Sequence, residues 1–326
     1  MVLIGHAGLA ADRLHGTPDR RHLETAAHLD PERLELDVCV TADSVLVARH
    51  DQRVEPANVS RCEQLLRRAV RPMRRERLAP PAGTILSGTP VAELPLQALR
   101  RLDPGVLTLD EAAAILGRRI PLLLDLKVPS AAPLLAHWLR HVPEPGRIAV
   151  CTPSLPALRR LRELAPRTER WPTIPGFGRR RRDHLAHTLS SLRASHPDLD
   201  RCRDSLSELG RAAAELPRRP HDVLAAVAAL PWRWHLPELA TAWSREVCAA
   251  GLCVPHWLVT PELFETAARL RLPLTAFTVN QAWALRRVLD CGAEMVTTDR
   301  LSQLRRLLGQ SRTPAGAPQI TRASAA

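Results

Sequence analysis

The chain has 326 residues, 45% of them hydrophobic and 25% charged, with a net charge of +12. That excludes a wholly disordered chain and provides enough apolar material for one large domain or two ordinary ones. No apolar run approaches the roughly 18 residues of a membrane-spanning helix. The first ten residues lack the basic start and apolar stretch of a secretory leader, so a soluble, cytoplasmic protein is expected. The 7 cysteines are odd in number, scattered and without a CxxC pair, which fits reduced thiols better than disulfides or a zinc site. All but one of the 46 basic residues are Arg, the exception being Lys127. This is a strong compositional bias, and it makes the one lysine informative: an ammonium is a compact point charge, a guanidinium a wide planar fork.

The first element is Val2-Leu3-Ile4-Gly5-His6, an apolar run that reads as a buried strand. Pro18 to Leu29 has helical character, with Pro in the first turn. Arg33 to Thr41 alternates strictly and reads as a strand, and Ser44 to His50 as another short one. From Asp51 to about Asp103 the pattern turns irregular and basic, as an inserted loop with a short helix or two would. Thr108-Leu109-Asp110-Glu111 carries a capping signal that starts a helix, and Ile120 to Lys127 is a buried strand.

A regular beat follows. Helix 131–141 leads to strand 147–151, and helix 155–164 to a strand near 171–174. Helix 236–250 leads to strand 252–257, helix 261–270 to strand 273–279, helix 281–290 to strand 294–298, and helix 301–308 closes the series. Alternation of this kind argues for a parallel sheet, and about eight units argue for an α/β fold of the (β/α)8 TIM-barrel type. Such a barrel needs roughly 250 residues. The expected organisation is therefore one domain over 1–308, insertions at about 52–103 and 176–236, and a disordered tail at 309–326.

The polar residues then acquire addresses. His6 ends the first strand, and Glu35 and Asp37 share one face of the second. His50 ends the following short strand, and Asp125 and Lys127 repeat the two-residue spacing at the end of the 120–127 strand. Barrel active sites lie at the C-terminal strand ends. Three carboxylates converging there need a neutralising partner, for which a hard divalent cation with oxygen ligands, Mg2+ or Ca2+, is the natural choice. Two histidines beside it are candidate acid and base, and a lysine can hold an anionic oxygen. The set describes metal-assisted attack on a phosphate ester.

The same residues resemble the glycerophosphodiester phosphodiesterase family. They are His6-Ala7-Gly8, Pro18-Asp19-Arg20-Arg21, Glu35-Leu36-Asp37-Val38, His50-Asp51, Asp125-Leu126-Lys127, Phe277-Thr278-Val279-Asn280 and Thr298-Asp299, in the family's order. The resemblance implies hydrolysis of glycerophosphodiesters, or related phosphodiesters, to an alcohol and glycerol phosphate. It implies metal binding by Glu35, Asp37 and Asp125, acid–base roles for His6 and His50, and a phosphate contact for Lys127. It further implies that a glycerol hydroxyl attacks phosphorus with help from one histidine while the other protonates the leaving alcohol.

The departures point to a second reading. Ala7 stands where the family has a phosphate-clamping Arg, Asp125 is one methylene shorter than the family's Glu, and the family's Pro-Glu-Asn-Thr is largely lost. A barrel so altered would serve as a phosphate-ligand binding module with weakened catalysis. Nucleic acid ranks last as a partner: the Arg runs carry no recognisable binding motif and aromatics are only 3% of the chain. The clusters Arg179–Arg182 and Trp232–His235 are read as a solvated loop and as packing under an insertion. His256 and Trp257 are read equally as mouth-lining or packing residues.

Overall fold

The computed structural model describes residues 1–10, 17–54, 88–117, 119–174 and 236–311. Eight parallel strands form the barrel: β1 (Val2–Gly5), β2 (Arg33–Val40), β6 (Leu122–Leu126), β7 (Ile148–Thr152), β8 (Glu169–Pro172), β9 (Leu252–Pro255), β10 (Leu274–Phe277) and β11 (Met295–Thr298). Their order around the sheet is β8-β7-β6-β2-β1-β11-β10-β9. The ends meet through a parallel bridge between Thr173 and Cys253, with the Ile174 N–H donating to the Cys253 carbonyl at 2.8 Å. The expected TIM barrel is present.

Alternation along each strand separates two cores. Leu34, Leu36, Val38, Leu122, Leu124 and Leu126 point outward to the helices. Ile4, Leu123, Ala149, Cys151, Trp171 and Cys253 fill the inside. The N-terminal end of the lumen is occupied by Trp171, over which the Arg33 guanidinium lies 5.2 Å from the ring centroid. Glu169 accepts from both residues, at 3.2 Å from the indole N–H and 3.4 Å from the guanidinium.

The helices are α1 (Arg20–Leu29), α2 (Leu96–Leu102), α3 (Leu109–Leu116), α4 (Ala132–His141), α5 (Leu155–Leu164), α6 (Leu236–Val247), α7 (Pro261–Arg269), α8 (Ala282–Asp290) and α9 (Leu301–Ser311). Helix α1 starts two residues after Pro18, because the Asp19 side chain accepts from the His22 N–H at 3.1 Å and caps it. The capping box at Thr108 and Glu111 forms as the spacing indicates. Helix α9 runs three residues past the expected end at Leu308, so the start of the expected tail is helical. The rest of that tail, the 176–236 insertion up to His235, Arg179–Arg182 and Trp232–His235 lie outside the described residues.

The 52–103 stretch contains more order at its roots than a loop. β4 (Arg53–Val54) pairs antiparallel with β5 (Thr89–Pro90), and α2 follows. The short strand expected at 44–50 is β3 (Leu46–Ala48), and it runs antiparallel to β2, off the barrel path. A turn at Thr41–Val45 reverses the chain beyond the end of the barrel, with the Thr41 N–H donating to the Val45 carbonyl at 3.0 Å. The returning strand brings Arg49 level with Asp37, its N–H donating to the Asp37 carbonyl at 2.8 Å. His50 therefore reaches the mouth by doubling back, not as the C-terminal end of a barrel strand.

Gly251, just before β9, passes directly over the Trp171 indole, and a Cβ there would stand 2.5 Å from ring atoms. Gly251→Ala is expected to destabilise the fold by about 1–3 kcal/mol through overpacking. A fall in thermal midpoint checks this, and an unchanged midpoint would show that the indole yields.

Candidate active site at the barrel mouth

The site starts from strand register. Asp37 on β2 is paired directly with Asp125 on the adjacent parallel strand β6, and Glu35 lies one inward position deeper. One carboxylate oxygen from each of the three can be chosen so that all lie within 4.8 Å of one another. Glu35 and Asp37 are buried.

Lys127 projects into the same space. Its Nζ lies 2.5 Å from Asp125 Oδ2 and 2.6 Å from Asp37 Oδ1. The contact with Asp37 is a close ion pair without hydrogen-bond alignment, and Asp37 Oδ2 and Asp125 Oδ1 have no hydrogen-bond partner among the described residues. Burial alone would lower the lysine, but the three carboxylates outweigh it and hold its pKa well above the ordinary value. Burial pushes Asp37 up, yet Lys127, His50 and His6 together hold it below the usual carboxylate range. Glu35 goes the other way: burial, then the neighbouring Asp37, raise it to about 8.

His6 stands at the end of β1 beside the cluster. Its Nε2 is 3.9 Å from Glu35 Oε2, and its Nδ1 is 2.6 Å from Asp299 Oδ1. Burial favours the neutral ring, but the Asp299 hydrogen bond and the charges of Glu35 and Asp299 prevail and raise it to about 9. Asp299 is held by Asn280, whose Nδ2 donates to Asp299 Oδ2 at 2.5 Å, while the Asp299 N–H donates to Asn280 Oδ1 at 2.9 Å. Burial would raise Asp299, but the His6 hydrogen bond and charge, the Asn280 hydrogen bond and the Arg300 charge together hold it below the usual carboxylate range. Asn280 and Asp299 were visible in the sequence as parts of the Thr-Val-Asn and Thr-Asp segments. Their service to His6 was not, because 293 residues separate His6 from Asp299.

Ala7 follows His6 with φ 48°, in the left-handed region. Its N–H donates to Glu35 Oε2 at 2.7 Å, so at this position the backbone contributes the contact. His50 is more open, with 48% of its side chain exposed and its Nδ1 2.9 Å from Asp51 Oδ1. Five of the six expected residues, Glu35, Asp37, Asp125, Lys127 and His6, thus form one connected cluster, and His50 stands at its edge, near enough to Asp37 to lower that carboxyl's pKa. His256 follows β9 with its ring edge-on to Trp257 and Trp283, at 5.0 and 5.7 Å between centroids. Burial first, then the charge of Arg287, depress it to about 4, so at neutral pH it is an uncharged packing residue.

The donor set fits a hard divalent cation. It is made of carboxylates alone, it converges, and it includes buried oxygens without partners, which a cation would satisfy. Glu35, Asp37 and Asp125 would hold it.

Two expectations follow from these electrostatics. His6 is raised from an ordinary 6.5 to about 9, so its contribution to stability is complete below 6.5 and is lost as pH rises through 9. Glu35, raised to about 8, contributes in the same direction, losing its stabilisation as pH rises from its ordinary 4.5 through 8. With a chelator present, the free energy of denaturant unfolding should therefore fall between pH 6.5 and 9; a flat or rising profile would contradict the assignment. In Asp299→Asn, the His6 ring should titrate below the wild-type value of about 9, as followed by NMR; an unmoved midpoint would mean that Asp299 does not control it.

Comparison with known proteins agrees with the barrel fold. The model of the glycerophosphoryl diester phosphodiesterase family matches residues 21–303. A putative glycerophosphoryl diester phosphodiesterase from Agrobacterium tumefaciens superposes with a TM-score of 0.60 at 15% identity, covering 96% of this chain and 98% of its own. One from Silicibacter pomeroyi gives 0.59 at 20% identity, covering 95% and 94%. A phosphodiesterase from Oleispira antarctica, solved in complex with the product sn-glycerol-3-phosphate, gives 0.56 at 14% identity, covering 95% and 97%. These likenesses concern the fold. No relative was found among curated proteins. With the match spanning most of its length, the chain belongs to the glycerophosphoryl diester phosphodiesterase family.

Proposed function

We propose that this protein hydrolyses glycerophosphodiesters to an alcohol and glycerol phosphate, with His6 and His50 as the acid–base pair. The observation that carries the reading is the convergence of Glu35, Asp37 and Asp125 beside a histidine held protonated by Asp299. A divalent cation bound by the three carboxylates would neutralise charge on the phosphoryl oxygens. Lys127 offers a second positive charge at the same place.

The two histidines divide the proton traffic by their surroundings. His50, half-exposed, takes the proton of the attacking glycerol hydroxyl as that oxygen bonds to phosphorus. His6 is protonated at neutral pH, and it gives its proton to the departing alcohol oxygen as the other P–O bond breaks. Water then opens the resulting cyclic phosphate with the roles reversed: His6 accepts the water's proton and His50 returns one to the glycerol oxygen. One water is consumed and both histidines end as they began.

Ala7 supports the alternative of a binding module. The family's Arg at this position would add a charge-assisted contact worth about 1.5–3 kcal/mol. Mg2+ or Ca2+ as the cation and a cytoplasmic location belong to the same proposal. Among the described residues no helix is long and apolar enough to cross a membrane.

The test is turnover of a panel of glycerophosphodiesters, such as the choline and ethanolamine esters, with and without Mg2+ or Ca2+. We expect cation-dependent release of glycerol phosphate, reduced roughly 100- to 10,000-fold in His50→Ala. Calorimetric cation binding should persist in that variant and vanish in Glu35→Gln/Asp37→Asn. Binding of cation and glycerol phosphate by folded wild type, without turnover of any diester, would establish the binding module instead.

A further inference from the structure

The residue before His50 is a buried arginine. Arg49 has 0% exposure, whereas most other arginines among the described residues reach solvent. Its guanidinium gathers groups from four separate places. Nε donates to the Asp51 carbonyl at 2.9 Å, and one terminal nitrogen donates to Asp103 Oδ2 at 2.6 Å and to Thr17 Oγ1 at 3.3 Å. The other donates to the Arg53 carbonyl at 3.4 Å. Its main chain is pinned as well, the N–H to the Asp37 carbonyl at 2.8 Å and the carbonyl by the Cys39 thiol at 3.2 Å.

This matters because, among the described residues, His50 has little else to place it. Its ring is half exposed, and its side-chain hydrogen bond is to Asp51, its own neighbour in the same loop. The backbone from 49 to 53 must therefore aim the imidazole. We propose that Arg49 is a positioning residue for His50, tying the His50 loop to Asp103 at the far root of the 52–103 segment and to Thr17 ahead of α1. Only a planar fork with five N–H donors reaches these acceptors at once; an ammonium on a lysine stem would satisfy a fraction of them. The proposal rests on the reading of His50 as an acid–base group. It predicts a defect in the chemical step, since a displacement of about 1 Å in an aimed group can cost on the order of 100-fold in rate.

The experiment compares wild type, Arg49→Lys and Asp103→Asn in steady-state kinetics, calorimetric Mg2+ binding and amide hydrogen exchange. In Arg49→Lys we expect kcat to fall at least roughly 10-fold with KM within about threefold, because the substrate's own contacts are untouched. Mg2+ affinity should stay close to wild type, since none of the guanidinium contacts involves the carboxylates of Glu35, Asp37 or Asp125. Exchange should accelerate at the amides of Gly88 and Val91, which donate to the Val54 and Gln52 carbonyls at 2.9 Å and report on this loop. Asp103→Asn keeps the carbonyl contacts and should show the same pattern more weakly; it carries the test if Arg49→Lys does not fold.

Wild-type kcat in Arg49→Lys, or unchanged exchange at Gly88 and Val91, overturns the proposal. So does a kcat loss that comes only with lost Mg2+ affinity. If wild type itself turns over no diester, the catalytic reading has failed, and the exchange data alone decide whether Arg49 holds the loop.

Discussion

Three carboxyl groups within 4.8 Å of one another, two of them buried, repel strongly, and the mouth of this barrel is arranged around that repulsion. The protein answers it in three ways. Lys127 places a positive charge against Asp37 and Asp125. His6 adds another, sustained by Asp299. Glu35 yields by keeping its proton to a higher pH than usual. Opposite-charge partners within a few ångströms and protonation of one member are the general means of accommodating buried like charges. Here they leave oxygens of Asp37 and Asp125 without hydrogen-bond partners among the described residues, so the compensation is incomplete in the way that suits an additional cation.

The arrangement also explains the division of labour among segments. β1, β2 and β6 supply the charged residues from neighbouring strands, while Cys151, Trp171, Cys253 and Phe277 contribute apolar surface from other strands. The polar half needs buttressing and receives it from the β10–α8 and β11–α9 connections through Asn280 and Asp299. The β2–β3 hairpin adds the last member. Because it folds back antiparallel, the carboxylate beside His50 belongs to its own loop neighbour Asp51, whereas the one beside His6 comes from the far end of the chain. The two histidines also differ in exposure.

Much of this was legible in the sequence, for identifiable reasons. Strict alternation in Arg33-Leu34-Glu35-Leu36-Asp37 placed two carboxyls on one face, and the period-two side-chain geometry of a strand leaves no other choice. The same rule placed Asp125 with Lys127. The lone lysine stood out against a background of arginine and proved to lie at the centre of the site. What escaped were contacts between distant segments. The hydrogen bond from His6 to Asp299 spans nearly the whole chain, and nothing local in Thr298-Asp299 signals its partner. Arg49 was one of 45 arginines by composition, and among the described ones its complete burial sets it apart. The reversal at β3 was missed for another reason: a short apolar strand reads alike in either direction.

The direct pairing of Asp37 with Asp125 has a consequence for how this chain can vary in length. In parallel strands of period two, one residue inserted into or deleted from either strand before its aspartate would turn that carboxyl outward, into the layer of Leu36 and Leu124. Strand lengths up to the site are therefore rigidly counted. Length can vary more freely where the chain has left the lumen, as in the long stretches between β4 and β5 and between β8 and α6.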